Sequence, residues 1–128
     1  MLIPPGFNTV TPYYFVDRAE EFLNFLVHGL AGTEIRRHMN GDRIANAQVR
    51  LGTSTVMVSE ASAAFPAMPA ACYLYVENAD EAMRTAIQAG AESIMQVNDM
   101  PYGDRQGRVK DRHGNIWWLS QRLVDGPY

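Results

Sequence analysis

The sequence predicts an α+β fold made of two related halves, each a strand, a helix and then three strands. Three observations lead there. First, two apolar sets recur at helical spacing, Ala19, Phe22, Leu23, Leu26 and Val27, then Ala79, Ala82, Met83, Ala86 and Ile87, and each follows a strand-like run. Second, the signals around the first set return around the second. Val16-Asp17 answers to Val76-Glu77, and Val49-Arg50 to Val109-Lys110, each sixty residues on. Third, the remaining matches keep the same order. Ala31-Gly32-Thr33-Glu34 resembles Ala89-Gly90-Ala91-Glu92, and Gly52 and Gly114 each open a final strand. Four matches in one order argue for an internal duplication rather than two helix–strand units alike by composition.

In the first half, residues 10–16 are β-branched and aromatic and read as a strand. Pro12 lacks an N–H, so this strand belongs at a sheet edge or leaves that position unpaired. Asp17 is the expected N-cap of the first helix, with Glu20 at the capping-box position, and Gly29 and Gly32 end it. Residues 33–39 form the second strand and Asn40-Gly41 a hairpin turn. Residues 45–51 alternate strictly, with Ala45, Ala47, Val49 and Leu51 against Asn46, Gln48 and Arg50, as a half-buried strand does. Residues 54–59 complete the half. Module one therefore covers about 8–60, a connector of Ala, Ser and Pro covers 61–70, and module two covers about 71–121.

The second half repeats the order. Residues 72–76 form a strand. Asn78 is the expected N-cap of the second helix, with Glu81 at the capping-box position, and Gly90 ends it. Residues 93–97, 107–111 and 115–120 are strands, with a loop at 100–105 and a turn at 112–115. One such module covers only one face of its sheet with its helix, so the other face must be covered or used. The surface between the two halves is the expected working site.

Composition narrows the function. The 128 residues suit a single domain and bury about two-thirds of the unfolded surface. Hydrophobic residues make up 47% and charged residues 20%, which is ordinary for a globular protein and needs no disulfide to fold. The net charge of −3 gives no bulk attraction for nucleic acid or an anionic membrane. No apolar run reaches the ~20 residues of a membrane helix. The opening Met1-Leu2-Ile3-Pro4-Pro5-Gly6 lacks a basic segment and a long apolar stretch, so it reads as an extended arm rather than a signal peptide. The one cysteine, Cys72, lies in an apolar strand, reads as a small buried side chain and suits a reducing, cytoplasmic setting.

Residues 102–119, YGDRQGRVKDRHGNIWWL, resemble the pattern GDRxGxVxDPxGxxW of the vicinal oxygen chelate superfamily, the glyoxalase, bleomycin-resistance and dioxygenase proteins. Residues 3–14, IPPGFNTVTPYY, and 47–52, AQVRLG, resemble its PhnB-like branch. The resemblance implies tandem βαβββ modules forming a cupped mixed sheet with the helices outside, and a homodimer. Family enzymes hold a divalent metal through His or Gln, Glu, His and Glu on the first and last strands of each module, where it binds two neighbouring substrate oxygens. The matching positions are Thr11, Val56, Ala71 and Trp118. None is a usual ligand for Zn²⁺, Mg²⁺ or Mn²⁺. Asn8 and Asn46 also stand where the PhnB-like branch commonly has His.

Strand alternation supplies the candidate cup: Tyr13 and Phe15, Tyr73 and Tyr75, Trp118, and from the third strand Asn46, Gln48 and Arg50. Tyr102 and Arg105 adjoin it from the loop before residue 107. Arg105 and Arg108 either close over an anion or pair with Asp104 and Asp111. His28 reads as a helix-end residue favoured by the helix dipole and His113 as a surface residue of a turn, and His38, near Arg36 and Glu34, is the best placed of the three for acid–base work. The aromatics line a ligand pocket or are plain core between sheets. Three functions follow: a metal-free binder of a small, partly aromatic or anionic molecule with no cofactor; an enzyme, either a lyase, isomerase or dioxygenase with nonstandard metal ligands or a metal-independent catalyst; or an assembly protein.

Overall fold

The computed structural model describes residues 1–128, in two compact units, Met1–Pro69 and Ala70–Tyr128. Each unit is a four-stranded sheet with one helix packed on one face. The first unit runs β1 (Tyr13–Val16), α1 (Ala19–His28), β2 (Thr33–Asn40), β3 (Arg43–Leu51) and β4 (Ser54–Glu60). The second runs β5 (Ala71–Tyr75), α2 (Ala79–Gln88), β6 (Glu92–Asp99), β7 (Asp104–Lys110) and β8 (Ile116–Arg122). The sheet orders are the same, β1-β4-β3-β2 and β5-β8-β7-β6. In each, the first strand pairs in parallel with the last, and the other pairings are antiparallel. The α+β fold with tandem βαβββ modules is therefore as the sequence predicts. Pro12 lies just before the edge strand β1, where its carbonyl accepts from Met57 N at 2.9 Å and no N–H is needed.

Alternation decides which face each residue serves. Toward α1 point Tyr14 and Val16 of β1, Ala47, Val49 and Leu51 of β3, and Val56 and Val58 of β4, all buried with Phe22, Leu23 and Leu26 of the helix. Toward α2 point Val109, Trp117 and Leu119, buried with Ala79, Met83 and Ala86. Gly107 makes that packing possible, because a Cβ there would lie 2.8 Å from Met83 Sδ. The edge strands β2 and β6 are mostly exposed.

The connector folds back on β1. Met68 N donates to Phe15 O at 3.0 Å, and Phe65 stacks on Phe15 with ring centroids 5.4 Å apart. At the final turn the buried Asp111 carboxylate accepts from His113 N and Asn115 N, and from Trp117 Nε1 at 2.9 Å. It fixes both the turn and the largest core side chain of the second unit.

Two helix starts differ in a way the sequence does not show. Asn78 caps α2, accepting from Glu81 N at 3.0 Å, as expected. Asp17 does not cap α1. The N-cap position is Arg18, at φ 56°, with no side-chain cap of its own. The carboxylate of Glu60, at the end of β4, instead accepts from Arg18 N and Ala19 N, each at 3.0 Å. A long-range acid thus supplies the cap and the negative charge that a helix start favours. Glu60→Ala and Asn78→Ala are each accordingly expected to lower stability by about 1 kcal/mol in urea unfolding, and Asp17→Ala to change it by less than about 0.5 kcal/mol.

Candidate functional site

The face of each sheet opposite its helix carries the polar and aromatic residues, and the two units build it alike. In the first unit Asn46 Nδ2 donates to Tyr13 Oη at 3.0 Å, and Tyr13 Oη lies 2.7 Å from Ser59 Oγ. Ser59 Oγ donates to Ala45 O at 2.7 Å. A serine has one hydroxyl proton, so Tyr13 is the donor to Ser59. Tyr13 stacks on Phe15 at 4.9 Å. Together with Arg43, Ile44 and Phe65 they border a cavity of about 370 Å³. A second cavity, of about 490 Å³, lies beneath the arm and is bordered by Phe7, Thr11, Arg36, Gln48 and Met57. Arg50 is exposed and lies near the backbone turn at Gly6.

The second unit repeats the motif sixty residues on. Tyr73 stands where Tyr13 does, Gln106 where Asn46 does, and Ser120 where Ser59 does, displaced by one. One residue changes the chemistry. Asp104 stands sixty residues after Ile44 and is fully buried. Its Oδ2 accepts from Tyr73 Oη at 2.5 Å, Tyr128 Oη at 2.6 Å and Ser120 Oγ at 2.7 Å. Its Oδ1 accepts from Arg122 Nη1 at 2.9 Å. Gln106 Nε2 donates to Tyr73 Oη at 2.6 Å and Ser120 Oγ at 3.0 Å, and its Oε1 accepts from Tyr102 Oη at 2.9 Å. Trp118 pairs directly with Tyr73 across the sheet, and Arg108 lies over its ring at 5.4 Å.

Burial alone would raise the pKa of Asp104, but the hydroxyls of Tyr128, Tyr73 and Ser120 and the Arg122 guanidinium outweigh it and hold the carboxyl well below its ordinary value. Burial first, then the hydrogen bond to Asp104, raises both Tyr73 and Tyr128. At neutral pH Asp104 is therefore a carboxylate anion paired with the Arg122 guanidinium and hydrogen-bonded by the neutral phenols of Tyr73 and Tyr128.

The structure brings Tyr73, Tyr75, Tyr102 and Trp118 to one surface, and Tyr13, Phe15, Asn46 and Gln48 to another. Arg105 is a correction. It lies on the helix side, where its Nε and Nη2 bind Asp80 of α2 at 2.9 and 3.0 Å and its Nη1 binds Asp99 at 2.9 Å. Asp104 pairs instead with Arg122. The reason is strand parity: β7 begins at Asp104 rather than after a loop, so Arg105 shares a face with Gly107 and Val109. Val56 is likewise 4% exposed and faces α1, paired across from Val49, so Thr55 and Met57 are the residues of β4 on the helix-free face.

That geometry tests the metal positions. Thr11 offers one hydroxyl, Ala71 a methyl, Trp118 an indole, and Val56 points into the core. Thr55 donates to Gly6 O at 2.6 Å. No group of three or more His, Cys, Asp or Glu side chains comes together to hold a metal ion. The donors present do not fit the ligand set that the family resemblance implies.

The residues missed by sequence reading are Ser59, Phe65, Asp104, Gln106, Arg122 and Tyr128, whereas Ser120 shares the predicted cup face of the last strand with Trp118. The sixty-residue offset carried a signal for Gln106, and none for Tyr128. The linkage of this cluster gives a stability profile. Asp104 is depressed in the fold, so its stabilisation is present above the unfolded pKa of about 3.9 and lost as pH falls below it. The tyrosines are raised, so theirs is present below about 10 and lost above it. Asp104→Asn is expected to cost about 2–4 kcal/mol at neutral pH in urea unfolding and to flatten the acid limb. An unchanged acid limb would remove Asp104 from this role.

The comparisons with known proteins agree with this architecture. Residues 6–119 match the model of the Glyoxalase/Bleomycin resistance protein/Dioxygenase superfamily. An uncharacterised protein of Mycobacterium bovis is 27% identical over 124 residues, covering 88% of this chain and 82% of its own. The crystal structure of TnmS3, an antibiotic binding protein from Streptomyces sp. CB03234, superposes with a TM-score of 0.73 at 17% identity, covering 95% of this chain and 98% of that one. A PhnB protein from Bacillus cereus superposes with a TM-score of 0.68 at 19% identity, covering 89% and 99%. No helix is long and apolar enough to cross a membrane. The chain belongs to the glyoxalase/bleomycin-resistance/dioxygenase superfamily.

Proposed function

We propose that this chain binds a small, partly aromatic molecule on the helix-free faces of its sheets, without a metal and without a cofactor. One observation carries the reading. Around the positions where the family resemblance places metal ligands, each module instead has a tyrosine, a serine and a carboxamide bonded to one another beside exposed aromatic rings. Such a surface offers stacking and neutral hydrogen bonds, which suit a planar ligand. It offers no imidazole, and its one carboxylate, Asp104, is held by Tyr73, Ser120, Arg122 and Tyr128. Arg36 and Gln48, beside the first unit's second cavity, would receive an anionic part of the ligand. The antibiotic-binding neighbour TnmS3 supports a binding role, by fold likeness only. A homodimer in the cytoplasm is the setting this reading expects.

The competing reading is catalysis with Tyr73 as the acid–base group. The direction of its pKa disfavours that at neutral pH, since burial and Asp104 both keep the phenol protonated.

A screen of planar aromatic compounds by thermal shift tests the proposal. Hits are expected to raise the melting temperature equally with and without EDTA. Trp118→Ala and Tyr73→Ala are expected to weaken the hits at the second unit about ten-fold or more. Stoichiometric Zn, Ni, Mn or Fe in the purified protein, with binding abolished by chelator, would contradict it.

A further inference from the structure

The second unit carries its own phenol at the centre of its helix-free face. Tyr128 Oη donates to Asp104 Oδ2 at 2.6 Å and lies 2.8 Å from Tyr75 Oη, which is the donor between them, because the Tyr128 proton is already committed. Its ring lies 4.2 Å from the Arg122 guanidinium carbon and meets Tyr102 edge-on at 6.1 Å. Those are the contacts a bound phenol would make. Yet the residue is 66% exposed, and the segment that delivers it is lightly held. Leu123 N donates to Gly103 O at 2.9 Å, and Arg122 Nη2 donates to Gly126 O and Pro127 O at 3.0 Å each. Residues 123–128 are all exposed. Tyr73 and Ser120 already fill the two lone-pair directions of Oδ2 from within the sheet, so Tyr128 is the third, outer donor.

We propose that Tyr128 stands in for a ligand: the site around Asp104 takes a neutral hydroxyaryl compound whose hydroxyl donates to Asp104 and whose ring lies against Arg122, displacing residues 123–128. This rests on the reading of that face as a binding surface and names the class it selects. The carboxylate demands a donor and repels an anion. When residues 123–128 leave, Arg122 Nη1 keeps its bonds to Asp104 and to Tyr102 O at 2.6 Å, and the guanidinium, its charge met by Asp104, turns its face to the ring as it does to that of Tyr128. Phenols that stay protonated are therefore preferred over ionised ones, and over rings with no hydroxyl.

Titration calorimetry on the full chain tests this with p-cresol (the tyrosine side-chain analogue), toluene, and 4-nitrophenol at mildly alkaline pH, where it is ionised. p-Cresol is expected to bind Tyr128→Ala about ten-fold or more tightly than wild type, because the internal competitor is gone. Tyr128→Phe, which keeps the ring and loses the donor, is expected to fall between them. Toluene and ionised 4-nitrophenol are expected to bind Tyr128→Ala at least about ten-fold more weakly than p-cresol. Equal p-cresol affinity in wild type and both variants, or toluene matching p-cresol, overturns the inference while leaving the face an aromatic-binding surface. No binding of any of the three to a Tyr128→Ala protein with wild-type thermal unfolding overturns the broader reading as well. Should Tyr128→Ala not fold, Tyr128→Phe against wild type carries the same comparison.

Discussion

A carboxylate with no exposed surface organises the second unit. Asp104 begins β7, and its two oxygens gather Tyr73 from β5, Ser120 and Arg122 from β8, and Tyr128 beyond them. Taking such a charge out of water costs several kcal/mol unless hydrogen bonds replace its hydration. Here four donors do so. That requirement places the tyrosines and the arginine, and through Gln106 it reaches Tyr102 and the guanidinium of Arg108. The helix-free face of the second unit is shaped by what the buried anion needs.

The first unit shows the same layout without the anion. Ile44 replaces Asp104, Asn46 replaces Gln106, and the chain Asn46–Tyr13–Ser59 ends on the backbone carbonyl of Ala45. Its aromatic partner comes from the connector, as Phe65, where the second unit uses the segment after β8. The two units thus share the sheet, the helix and the tyrosine–serine–amide core. They differ in the outer aromatic and in the charge.

Much of this was legible in residue order. The restart after the connector, the strict alternation of residues 45–51 and the two amphipathic helices set the fold, because each is a local pattern with one packing solution. The site was legible where alternation could be followed from a secure strand, as at Tyr73, Tyr75 and Trp118. It failed where a strand start looked like a turn. Met100-Pro101-Tyr102-Gly103 punctuates the chain, and Asp is a poor strand former. Residues 100–105 therefore read as loop and the strand as starting at 107, which hid Asp104 and Gln106 and turned Arg105 to the wrong face. The Glu60 cap and the docking of Tyr128 depend on residues far apart in sequence, and no local signal announces either.

Superfamily membership leaves open what the helix-free faces hold, and the residues at the positions of the family's metal ligands, Thr11, Val56, Ala71 and Trp118, do not form the family's ligand set. The most direct measurement is an NMR titration of the isotope-labelled protein with p-cresol in the presence of EDTA. Saturable shifts are expected, concentrated at Tyr73, Gln106, Ser120 and the residues around Tyr128, and unchanged by chelator. Shifts confined to other surfaces, or binding that appears only on adding a divalent metal, would contradict it.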